Sequence, residues 1–201
     1  VNDGTPDSGH ESRIVALLEP VLDHPALTIE TIEPHPGRRS IVARLEGRDP
    51  SARRLCLLGH TDVVPASPRG WRHDPYGGEL IDGEVWGRGA VDMLNMTCTM
   101  AVALAQIARA EVRPHGDLVF AAVADEEAGG EFGAKLLLDD FGDLVAVDDV
   151  ITESGGLTMH REDQHGFLTI TVAARRSQKV PSGGVWSSLG RRAMHRCRFV
   201  Q

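Results

Sequence analysis

The chain has 201 residues, 41% hydrophobic and 25% charged, which suffices for one folded domain and excludes a wholly disordered or collagen-like chain. The formal charge of −8, from 29 acids against 21 bases, argues against nucleic acid as the partner of the whole chain. That average hides a split: residues 175–201 hold seven of the bases (Arg175, Arg176, Lys179, Arg191, Arg192, Arg196, Arg198) and none of the acids.

Along the chain, Ser8 and Glu11 have the spacing of a capping box, and Ile14, Leu17 and Leu18 follow at helical intervals, predicting a helix over 9–22 that Pro20 weakens near its end. Two alternating or apolar runs, 27–32 and 40–45, read as strands separated by Pro34, Pro36 and Gly37. A short strand over 54–58 stops at Gly59-His60-Thr61-Asp62. Asp82-Gly83 between 79–81 and 84–86 is a two-residue hairpin signal. Residues 92–109 are helical in pattern, with small or apolar residues on most faces, so this helix should be central. The uninterrupted apolar run 118–124 is expected of a strand buried on both faces. A helix containing 134–138 and a strand over 149–152 complete an alternation of strands and helices, which indicates an α/β layer structure.

Cysteine usage and apolar runs bear on location. Cys56, Cys98 and Cys197 are odd in number and lack metal or redox spacing. Cys56 and Cys98 read as buried free thiols, which points to a reducing compartment and hence the cytoplasm. Residues 1–10 lack the apolar stretch of a signal peptide, and the run 96–108 is too short and Thr-rich for a membrane span, so no membrane partner is expected.

Three polar clusters begin where apolar strands end: His60-Thr61-Asp62, Asp125-Glu126-Glu127 and Glu153 before Ser154-Gly155-Gly156. In open α/β sheets ligands bind at the carboxyl ends of strands, where loops converge over a rigid base. Asp92, at the start of the central helix, is a fourth candidate. Taken singly, each has a plain explanation: a surface His-x-Asp pair, favourable negative charge in a first helical turn, a solvated turn acid, an N-cap. Together, His60, Asp92, Glu126, Glu127 and Glu153 would crowd like charges into one cleft, which is costly without a cation. One imidazole with several carboxylates suits Zn²⁺, with Mn²⁺ or Co²⁺ as substitutes, and the surplus of acids points to two ions. Gly87-Arg88-Gly89 imitates a dinucleotide fingerprint, but its third glycine is replaced by an acid that would repel pyrophosphate. No Gly-x-Ser-x-Gly or activated nucleophile is visible.

The runs LLGHTDVVP (57–65), Trp71 with Asp74-Pro75, DGEVWGRGAVDM (82–93), ADEEAGG (124–130) and TESGG (152–156) resemble, in order and spacing, the zinc metallopeptidase family of aminoacylase, acetylornithine deacetylase, succinyl-diaminopimelate desuccinylase and glutamate carboxypeptidase. The resemblance covers residues 2–172. It implies a three-layer α/β sheet with flanking helices, the partial catalytic domain of a two-metal exopeptidase. His60 and Glu153 would bind one Zn²⁺, Glu127 the other, and Asp92 would bridge them. Asp62 would orient His60 from its far nitrogen. Glu126 would be the general base, taking a proton from the bridging water and passing it to the departing amine. The implied substrate is a small N-acyl amino acid or short peptide.

Departures from the family are equally specific. Leu94 stands where members usually carry the lysine of an Asp-x-Lys. After Ala173 the resemblance stops, so residues 1–173 read as the N-terminal part of the catalytic domain and 174–201 as a basic tail, for which a frameshift is one origin. The lid domain, with the contact that would form a homodimer, and the final His of the second metal site have no counterpart, and His195 cannot be equated with that ligand. Hydrolysis by this chain is accordingly expected to be weak or absent. The alternative is a non-catalytic remnant or metal-binding module with a basic interaction tail.

Overall fold

A computed structural model describes residues 1–153 apart from Pro6 and Pro68, and the backbone of three short strands at 158–160, 166–168 and 172–174. The basic segment, with His195 and Cys197, lies outside the described residues. The elements run α1 (Ser12–Leu22), β1 (Leu27–Ile32), β2 (Ser40–Leu45), β3 (Leu55–His60), β4 (Glu79–Ile81), β5 (Glu84–Trp86), α2 (Leu94–Arg109), β6 (Leu118–Val123), a 3-10 turn (Glu126–Ala128), α3 (Ala134–Asp140) and β7 (Asp149–Ile151), with β8 (Thr158–His160), β9 (Gly166–Leu168) and β10 (Val172–Ala174) following.

Six strands form one mixed sheet in the order β1-β2-β6-β3-β7-β10. β3 lies parallel to both β6 and β7, whereas β1, β2 and β10 pair antiparallel with their neighbours. The period-two alternation sorts each strand's residues to two faces. Ile41, Ala43, Leu45, Phe120 and Ala122 pack with Val15, Leu18 and Leu22 of α1 and Met100, Ala101 and Leu104 of α2. Val42, Cys56, Val119, Ala121 and Val123 face the other way, onto Ala134 and Leu137 of α3 and Val147. The result is the α/β layering expected from the alternation of strands and helices, in the three layers that the resemblance implies. β6 is buried on both faces, as its apolar run requires.

The small hairpin forms as its turn signal predicts, with Asp82 at φ 51° and Gly83 at φ 86°, the positive angles that a two-residue hairpin turn needs. Four local expectations are corrected. Ser8 and Glu11 do not form a capping box: no side chain caps α1, because the Glu11 carboxylate is buried against Arg38 and Ser8 bonds within the N-terminal loop. Helix α2 begins at Leu94, leaving Asp92 outside it. Strand β3 continues through Gly59 to His60 because both pair with β6. Cys98 is exposed, since α2 turns it away from the core that Thr97 and Ala101 enter, while Cys56 is buried with its thiol pushed up to about 12 by burial.

Beneath the strand ends lies a polar core. Arg38 is only 1% exposed and pairs with Glu11 at 3.1 Å and with Asp125, while its Nη1 donates to the Ser8 carbonyl at 2.6 Å. Its guanidinium also stacks over Phe132. Two carboxylates so deeply buried require this cation. Burial, with the charge of Asp62 adding to it, pushes the Glu11 carboxyl up, and a hydrogen bond from its own backbone amide and the charge of Arg38 oppose that shift. Replacing Arg38 with Met strands both charges, so Arg38→Met should destabilise the fold by about 3–5 kcal/mol, read as a fall in the urea midpoint; a midpoint near wild type would contradict this account.

Candidate metal centre

The parallel pairing of β3, β6 and β7 sets the site. Register places His60 beside Val123, so the segments leaving β3 and β6 emerge side by side, with that of β7 flanking β3. Helix α2 crosses closely over the end of β3. A Cβ on Gly59 would sit 2.5 Å from Thr97 Oγ1, so only glycine permits the approach. Thr97 Oγ1 then donates to the His60 carbonyl at 2.8 Å. That packing brings Asp92, just upstream of α2, to the imidazole. On the other side Asp125, with φ 64°, turns the chain sharply out of β6 and accepts from the Phe132 amide at 3.2 Å. Gly133 allows the returning segment to lie on Ala124, whose carbonyl would be 1.8 Å from a Cβ there.

All six residues singled out in the sequence converge. His60 Nε2 lies 3.1 Å from Asp92 Oδ1, 3.3 Å from Glu153 Oε2 and 3.7 Å from Glu126 Oε2. Its Nδ1 is 3.5 Å from Asp62 Oδ1 and 3.0 Å from the Asp62 carbonyl. The Asp62 carboxylate also accepts the backbone amides of Glu126 and Glu127, each at 3.1 Å, and thereby fixes the turn that carries both acids. Potential ligand atoms of His60, Asp92 and Glu127, and of His60, Glu126 and Glu153, lie within 4.8 Å of one another. Both groupings share His60, the buried floor of the site at 1% exposure, while Asp92 stands at the rim with 64% of its side chain exposed.

The electrostatics follow from this crowding. Burial pulls the His60 imidazole down, but the hydrogen bonds it donates to Asp62 and Glu153 and the charges of Asp62 and Glu126 outweigh it and push its pKa to about 11. Burial and then the like charges of Glu153, Glu127 and Asp62 push Glu126 up to about 7, against the pull of His60. Burial, with Asp92 adding repulsion, also raises Glu127. Glu153 is lowered, chiefly by its hydrogen bond to His60. One ring N–H cannot serve three acceptors, so the donor set has more negative oxygen than the protein neutralises. One imidazole nitrogen with several carboxylate oxygens is a set that fits Zn²⁺ or a similar divalent ion.

Asn2, Glu11, Arg38 and Asp125 were not singled out as contributors to the site. Glu11 carried a misleading capping signal. Asp125 stood first in a run of three acids, where its tolerance of the left-handed region was the one available hint. Asn2 and Arg38 reach the site only through the fold, and nothing local marks them.

An α/β sheet with an imidazole–carboxylate cluster at the carboxyl ends of its strands is the class of arrangement that can hold a divalent cation. The sequence profile of peptidase family M20/M25/M40 matches residues 56–182, and the chain belongs to that family. It is 38% identical over 106 residues to the succinyl-diaminopimelate desuccinylase of Methylobacterium radiotolerans, covering 52% of this chain and 26% of that protein. Identity to the same enzyme of Paracoccus denitrificans is 34% over 136 residues, 67% of this chain and 34% of that one. Human carnosine dipeptidase 1 superposes with a TM-score of 0.57 at 26% identity, over 71% of this chain and 32% of its own. An M20 family metallo-carboxypeptidase from Sulfolobus solfataricus shares the fold, with a TM-score of 0.56 at 19% identity over 73% and 32% of the two chains. The chain therefore spans about a third or less of the length of these relatives. Among the described residues no helix is long and apolar enough to cross a membrane.

The raised Glu126 fixes a sign for the metal-free chain. Its folded pKa of about 7 exceeds the ordinary 4.5, so the folded state binds the extra proton between those values and stability falls as pH rises through that window. Glu126→Gln removes the penalty. At pH 8, in chelator, it should be more stable than wild type by on the order of 2 kcal/mol, and the advantage should vanish near pH 4. Chemical denaturation at the two pH values checks this, and equal stabilities at pH 8 would refute it.

Proposed function

We propose that the chain is the metal-binding part of a hydrolase that cleaves the amide bond of N-acyl amino acids or short peptides. The observation that carries this reading is the convergence of Asp92, Glu126, Glu127 and Glu153 on His60. Names of the relatives support the substrate class, since they include a desuccinylase and a dipeptidase. His60 and Glu153 would hold one divalent cation and Glu127 a second, with Asp92 positioned to serve both. Zn²⁺ suits this set best, with Co²⁺ or Mn²⁺ as substitutes. When bound, the ions acidify a water and polarise the scissile carbonyl.

The protein's own groups perform the remaining steps. Asp62 holds the imidazole through Nδ1 and leaves Nε2 directed at the carboxylates. Glu126, with a pKa pushed to about 7 by burial and like charge, is poised as the general base. It takes the proton of the attacking water and returns it to the amine that leaves when the C–N bond breaks. The free thiols of Cys56 and Cys98 fit a reducing compartment, the cytoplasm.

Cation content measured by mass spectrometry after dialysis against Zn²⁺ tests the reading. Asp92→Ala should weaken Zn²⁺ binding by more than about tenfold, a floor set by what loss of even an outer partner costs. Glu126→Gln should retain the metal, while any amine release from N-acyl amino acids or dipeptides falls about 10²–10⁴-fold. A wild-type chain that takes up no Zn²⁺, or hydrolysis indifferent to Glu126→Gln, would defeat the proposal.

A further inference from the structure

Asn2 is only 3% exposed, although it lies at the second position of the sequence. Its backbone amide and both ends of its side-chain carboxamide are engaged. Its amide donates to the Val63 carbonyl at 2.8 Å, which pins it beside the segment leaving β3. Its Oδ1 accepts from the Gly4 amide at 3.0 Å and from Ser8 Oγ at 3.4 Å. Its Nδ2 donates to Asp62 Oδ2 at 2.8 Å and to Asp125 Oδ1 at 3.1 Å. One carboxamide thus spans two buried carboxylates that leave neighbouring strands. Asp62 faces His60 Nδ1 and receives the amides of Glu126 and Glu127; Asp125 forms the turn that precedes those two acids and is anchored below by Arg38.

We propose that Asn2 is a positioning residue of the metal centre, its carboxamide clamping Asp62 to Asp125 so that the imidazole of His60 and the turn carrying Glu126 and Glu127 are held in register. This role rests on the cation-binding reading above. The position demands a primary amide of this length: two N–H groups are needed for two carboxylates, and one oxygen for Gly4. Aspartate would keep the acceptor but set a third carboxylate against the other two. Alanine would leave both unbridged, and serine retains a single donor. Because Asp62 touches three parts of the site, a small shift of its carboxylate moves all of them, and the outcome is altered coordination as well as weaker binding.

Titration of the full chain with Co²⁺, followed by d–d absorption and referred to the folded fraction from far-UV circular dichroism, tests the role. Asn2→Ala and Asn2→Asp should each weaken Co²⁺ binding about 10–100-fold and shift the band. Asn2→Ser should fall between them and wild type. If wild type binds Co²⁺ and the folded variants match it in affinity and band, the clamp is refuted while the metal site stands. If wild type binds no Co²⁺, the cation-binding reading itself fails, and the clamp with it. Should Asn2→Asp not fold, Asn2→Ser decides: an intermediate affinity supports the clamp, and wild-type affinity refutes it.

Discussion

Repulsion among carboxylates governs this structure. Asp62, Asp92, Glu126, Glu127 and Glu153 surround a single imidazole at the carboxyl ends of β3, β6 and β7. Chain segments leave these strands close together because the strands are parallel neighbours, and parallel pairing in turn needs crossover connections that bury both faces of the sheet. The apolar side chains on the two faces of β6 therefore have an electrostatic consequence. They fix the backbone rigidly enough to hold charges that would otherwise move apart.

Two layers of acid are handled differently. In the lower one, Glu11 and Asp125 are compensated by Arg38, a charge that does not titrate and cannot leave. In the upper one, no lysine or arginine among the described residues pairs with Asp92, Glu126, Glu127 or Glu153. Leu94, where the resembling family carries a lysine, lies against Gly89 and adds no charge. The lower layer is thus a permanent part of the fold, while the upper layer keeps the uncompensated charge that the proposed cation would neutralise. Asn2 and Asp62 connect the two, since Asn2 reaches Asp125 below and Asp62 reaches His60 above.

How far each part could be read from the sequence follows from the range of the interactions that determine it. Strands such as 118–123 were legible because burial on both faces leaves an unbroken apolar run, and the hairpin because Asp82-Gly83 tolerates positive φ. His60, Asp92, Glu126, Glu127 and Glu153 stood out where strands end or the central helix opens, and their order matched a known family. Arg38 did not stand out, because its partner Asp125 is 87 residues away, nor did Asn2, whose partner Asp62 is 60 away. Glu11 obeyed a local rule that a long-range ion pair overrode. Cys98 was misplaced because α2 carries small residues on nearly every face, which blurs the helical period that separates inside from outside.

The division between floor and rim bears on how one site can exchange protons for cations. His60 is buried and tied at Nδ1, so its Nε2 has a fixed direction; Asp92, 3.1 Å from that nitrogen, has most of its side chain exposed. A cation held by His60 would need a neutral ring nitrogen, so on the proposed reading its arrival would displace the proton that the surrounding acids favour there. The same arrival offsets the like charges that raise Glu126, yet burial, the largest contributor, remains. In the metal-free chain, burial thus comes first and like charge second in favouring the proton on Glu126. On the proposed reading a bound cation would act on Glu126 in two ways, cancelling the like charges and opposing protonation by its own positive charge, which leaves burial as the influence that still favours the proton.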